Sequence, residues 1–227
     1  WREAPAGSGD GSSPDEAGAS RSPADGDAPR AAPQRYGARQ AWREVAVRLA
    51  VVASAGVFVA ISVRQAFLPV LLESEGFAAT TIGAVLSLGS LASVTVRPFT
   101  PWIARRLGGV APTLVVTMSV VGLGVGLLGV AGSLPLYALL SVMAGLGTGV
   151  GLPMSAVAIV RRVAYGERAT ALGLRLASNR GAQLSAPIMV GAVIGAAGFG
   201  VGFGGVGVVV AALAVAAARL GRRYVRG

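Results

Sequence analysis

The chain has 227 residues, 53% of them apolar and only 13% charged, with a formal net charge of +10. Ordinary water-soluble domains carry about 25% charged residues, so this composition is too apolar for one. Cysteine, histidine and lysine are absent, which excludes disulfides, thiolate metal sites, a Ser–His catalytic pair and the lysine of a phosphate-binding loop.

Residues 1–41 form a regime of their own. Ala, Gly, Pro and Ser fill 26 of the 41 positions, and Val, Ile, Leu, Met and Phe are missing. Such a segment buries too little apolar surface to offset its ordering entropy, so it reads as a disordered cytoplasmic linker or tail. It begins with Trp1 and contains no secretory signal, which suits a fragment or a processed product.

Residues 42–227 form a train of apolar segments. A helix needs about 20 such residues to cross roughly 30 Å of hydrocarbon. Six candidates follow in order, at 45–71, 82–104, 111–131, 135–160, 169–194 and 200–219. The expected fold is therefore an all-α membrane protein with six transmembrane helices.

Arginine placement orients them. Arg43 and Arg48 open the first span, and Arg105 and Arg106 separate the second from the third. Arg161, Arg162 and Arg168 separate the fourth from the fifth, and Arg219, Arg222, Arg223 and Arg226 follow the sixth. The alternate connectors, 72–80, 131–135 and 195–200, hold no arginine. This positive-inside pattern places both termini in the cytoplasm of a multi-pass inner or plasma membrane protein. It also accounts for the basic charge without a nucleic-acid partner.

Small residues crowd the fourth and sixth spans, notably Gly145, Gly147, Gly149 and Gly151 before Pro153. They allow close helix approach. Pro153 and Pro187 are candidate helix kinks.

Four arginines fall within spans, where each costs about 2.5–3.5 kcal/mol at the bilayer centre unless it faces protein or water. Arg97 and Arg175 lie near the cytoplasmic surface and are expected to snorkel, anchoring the spans or contacting loops. Arg64 and Arg180 lie deeper. Arg175, Asn179, Arg180, Gln183 and Pro187 share one helical face within about 140°, so that face looks into an interior. Two uses stand open. Asn179 and Arg180 could bond carbonyls freed near Pro187 or Pro153, or they could bind an anionic or polar solute. Arg64 with Gln65 makes a second such cluster.

The run "FLPVLLESEGFAATTIGAVLSLGSLASVTVRPFTPWIARRLGG" resembles span seven, the outer loop and span eight of the major facilitator superfamily. The family's loop signature is Gly-x-x-x-Asp-Arg-x-Gly-Arg. "PWIARRLGG" keeps Arg106 and Gly108 in register and departs at Pro101, Arg105 and Gly109. "GERATALGLRLASNRGAQLSAPIMVG" is similar to the start of span eleven, with Gly173, Pro187 and Gly191 matching the antiporter motif and Ala182, Ala186 and Val190 replacing its glycines.

The resemblance covers residues 42–221. It implies one bundle of 3+3 inverted repeats and a missing N-terminal six-span half. It also implies a gating role for the loop around Arg97, Arg105, Arg106 and Gly108.

The function expected on this basis is secondary active transport of a small solute by alternating access, without catalytic residues, metal or cofactor. The alternative is a non-transporting accessory or scaffold membrane protein, a truncated product included. An enzyme is not expected.

Overall fold

Glycine and alanine contribute heavily to the interior of this protein, and many large apolar side chains face outward. In a computed structural model, residues 37–226 are described and belong to one compact unit. The tail expected over 1–41 thus lies outside the described residues except at its end, where a short helix α1 (Ala38–Arg43) forms.

The remaining helices are α2 (Val45–Ser74), α3 (Ala79–Val96), α4 (Thr100–Arg106), α5 (Val110–Gly126), α6 (Leu134–Arg162) and α7 (Arg168–Arg226). Tight helical turns at Arg97–Phe99, Leu128–Val130 and Tyr165–Glu167 join or extend them. Among the described residues, five helical stretches are long and apolar enough to cross a membrane.

The predicted spans at 169–194 and 200–219 fall within a single stretch, α7, interrupted only at Gly198. There φ is 83° and ψ 170°, a region open essentially to glycine alone. The two arms fold against each other. A methyl on Gly202 would collide with the Ile194 side chain, and one cavity is lined by Met189 and Val193 together with Gly205 and Val209.

Register follows from close glycine contacts. Gly122 faces Val210, Gly126 faces Gly207, and Gly129 lies beside Gly200, so α5 runs antiparallel to the second arm of α7. Phe67 of α2 packs on Gly191 of the first arm.

The alternating glycines of α6 serve two neighbours at once. Residues four apart share a helix face, whereas residues two apart point about 200° apart. Gly145 and Gly149 accordingly meet the backbone of α3 at Gly89 and Ser93. Gly147 and Gly151 meet Thr117 of α5, where a methyl would stand 2.9 Å from its carbonyl oxygen and 3.1 Å from its hydroxyl, respectively. Helix α6 is thereby wedged between α3 and α5.

The core is filled by Val47, Leu49, Leu68, Leu72, Leu114, Met118, Tyr137 and Phe203, while Leu91, Val94, Leu123, Leu184, Ile188 and Val208 face outward. Exposed apolar surface on this scale suits hydrocarbon.

Charge separates along the bundle. Contact between Ala111 and Gly221, and between Arg162 and Tyr224, brings the starts of α2 and α5 and the ends of α6 and α7 to one arginine-rich end. At the opposite end the Tyr137 hydroxyl donates to Glu75 Oε1 at 2.6 Å, with Phe77 edge-on to the Tyr137 ring.

Candidate functional site

The four arginines within the predicted spans meet four different fates. Arg175 does not snorkel as its depth suggested. It is buried on the first arm of α7 and reaches α6, where Nε and Nη2 donate to Ser155 Oγ at 3.0 and 2.6 Å and Nη2 donates to the Leu152 carbonyl at 3.0 Å. Ser155 and the Leu152 carbonyl, on either side of Pro153, give its guanidinium a polar partner inside the bundle. The bond to a carbonyl near Pro153, expected of Asn179 or Arg180, is thus made by their neighbour.

Arg64 is 7% exposed. Its guanidinium lies over Gly89 of α3, with the Ser141 carbonyl of α6 beside the same point. A side chain at 89 would occupy the guanidinium's place. Its Nη1 is fully enclosed without a hydrogen-bond partner, as is the Ser141 hydroxyl. Gln65, one residue on, turns outward, so the expected Arg64–Gln65 cluster divides across the helix.

The polar face of the first α7 arm also divides. Asn179 is 3% exposed, and neither its amide oxygen nor its nitrogen has a partner. Arg180 is exposed and donates from Nη1 to Gln183 Oε1 at 2.8 Å. Arg180 lies twelve residues, about 18 Å, into this arm. It shares an i, i+4 row with the exposed Leu176, Leu184 and Ile188. With Phe67 opposite Gly191, Arg64 and Asn179 are separated by about nine residues, or roughly 13 Å, along the axis. They form no joint site.

Arg97, Arg105 and Arg106 are exposed near the arginine-rich end. The Arg106 guanidinium sits 5.5 Å from the Trp102 ring centre. Gly108, at φ 83°, helps turn the chain from α4 into α5, and the Gly109 N–H closes α4 on the Ala104 carbonyl at 2.8 Å. Pro153 and Pro187 sit within continuous helix, and the one non-helical residue of α7 is Gly198.

Glutamates 44, 73, 75 and 167 all lie at helix ends. Among the described residues, no arginine side chain hydrogen-bonds to a glutamate, and no group of three His, Cys, Asp or Glu gathers that could hold a metal. Sequence reading missed Ser155, Ser141 and Gly89. Their importance lies in which helices become neighbours, and no local pattern announces that.

No protein-family model matches the sequence, and no curated protein matches it. Fold and surface together define the described residues as all-helical, with five helical stretches suited by length and composition to crossing a membrane.

Proposed function

We propose that this chain is the C-terminal bundle of a secondary transporter of the major facilitator type, moving a small anionic or polar solute by alternating access. In this reading α7 crosses twice, reversing at Gly198, and the bundle makes six passes with its arginine-rich end in the cytoplasm. The observation that carries the proposal is the outward Arg180–Gln183 pair, midway along an apolar row. Lipid is a costly neighbour for that guanidinium. A second bundle enclosing a watered cavity, as transporters of paired repeats provide, accommodates it. Arg64 has no carboxylate partner among the described residues but is enclosed within the bundle, so Arg180 alone points to a solute with an acidic or strongly polar group.

The test is uptake into proteoliposomes containing the protein together with its N-terminal half. Candidate small carboxylates, phosphates and neutral polar solutes are first screened by thermal stabilisation of the purified protein. Uptake that is lost in Arg180→Ala, with membrane insertion unchanged, supports the reading. Unchanged uptake removes Arg180 from the solute path. No uptake of any stabilising solute favours an accessory or scaffold protein.

A further inference from the structure

The arginine-rich end of the bundle contains a cavity of about 350 Å³, within the range of small-ligand pockets, lined by Arg43, Glu44, Val45, Ala46, Arg162, Arg223 and Tyr224. Three arginines from three chain segments, the ends of α1, α6 and α7, line it together with one glutamate. They are not equivalent. Arg162 is fixed, its Nη2 donating to the Tyr224 carbonyl at 2.9 Å and its guanidinium stacked 4.8 Å from the Tyr224 ring centre. The side chains of Arg43 and Arg223 donate no hydrogen bond among the described residues, and both are exposed. The lining therefore combines one oriented fork, two adaptable ones and an apolar margin from Val45 and Ala46. A lining of both cationic and apolar groups matches a ligand that is anionic at one part and hydrocarbon at another.

We propose that this cavity is a binding site for a phosphate group, supplied by the headgroup of an anionic phospholipid at the membrane surface. Guanidinium forks pair with phosphate oxygens in two parallel hydrogen bonds. Basic pockets between transmembrane helices at such a surface suit anionic headgroups. The site rests on reading these helices as membrane spans but is independent of transport. Glu44 limits affinity by placing a like charge beside the phosphate. Occupancy ties the start of α2 to the ends of α6 and α7, whose only direct polar link among the described residues here is Arg162 to Tyr224.

The experiment is thermal unfolding of the purified full chain in detergent, titrated separately with phosphatidylglycerol, phosphatidylcholine and inorganic phosphate. A saturable rise with phosphatidylglycerol, absent with phosphatidylcholine, is expected. Each arginine near an anionic surface contributes about a fivefold factor. Arg43→Gln and Arg223→Gln should therefore each raise the half-saturating lipid concentration about fivefold, while Glu44→Gln lowers it. Arg43→Gln removes no side-chain bond of the fold, so its response cannot come from misfolding. A phosphatidylglycerol response unaltered in the double variant overturns the site. A saturable response to inorganic phosphate alone, lost in the same variants, overturns the lipid as source and assigns the cavity to soluble phosphate.

Discussion

Replacing Arg64 by Met removes a guanidinium while retaining a long, flexible side chain over Gly89. In the native bundle Arg64 Nη1 is enclosed without a partner, and a buried donor left unpaired costs about 1–3 kcal/mol. Arg64→Met relieves that cost, so stability should rise by a similar amount. For chains of 150–250 residues 1 kcal/mol corresponds to about 2–4 °C, which gives an increase of roughly 2–12 °C.

Arg175→Met should act in the opposite direction. It removes three hydrogen bonds to Ser155 and Leu152, and a bond from a charged donor contributes about 1.5–3 kcal/mol. Ser155 retains its own bond to the Leu152 carbonyl at 2.6 Å, so no acceptor is stranded. A loss of about 1.5–3 kcal/mol, the range for one such bond, is then expected. The assay is the helical circular dichroism signal followed against temperature in a fixed detergent. Equal destabilisation by both variants would refute the reasoning, because Arg64 would then hold a structural partnership like that of Arg175. A transporter using Arg64 should also lose uptake in Arg64→Met even as it becomes more stable.

Gly145→Ala places a methyl against the Gly89 backbone and should cost about 1–3 kcal/mol by forcing α3 from α6. Gly173→Ala, where nothing lies within 4 Å, should stabilise by about 0.4–1 kcal/mol; the difference in melting temperature checks both. Gly198→Ala should cost about 1–3 kcal/mol, since alanine does not occupy φ 83°, ψ 170° without strain, and an unchanged melting curve would contradict this. Tyr137→Phe deletes the bond to the exposed Glu75, with an expected loss of about 0.5–1.5 kcal/mol in the same assay.

Helix placement was legible because apolar length is a one-dimensional property. The stretches 45–71 and 135–160 lie within Val45–Ser74 and Leu134–Arg162, and arginines alternating between connectors announced the common end that the fold assembles. The break between the last two candidate spans was read as a connector over 195–200, but a single positive-φ glycine does the work. Apolar, glycine-rich sequence gives no sign of which glycine bends. Side-chain fates were less legible still. A helical wheel places Arg175 and Asn179 near Arg180, but only the position of α6 decides that Arg175 meets Ser155 while Arg180 faces outward. The value of Gly145 and Gly149 for α3, and of Gly147 and Gly151 for α5, follows from helix periodicity once the neighbours are known.

If α7 crosses twice, as proposed, the single-residue reversal at Gly198 bears on how the chain enters a bilayer during its synthesis. From Gly181 to Ala218 there is no charged residue, and the two arms already pack on each other across the turn. They can enter as one hairpin whose leading tip, around Ala197 and Phe199, is apolar. In that reading the arginines at 168 and at 219–223 stay on the side of synthesis, and the charges that follow the tip inward are Arg175, bonded to α6, and Arg180. A polar epitope tag at position 198, where a side chain would meet nothing within 4 Å, would have to cross with that tip, and slower insertion of the tagged chain is the expected result.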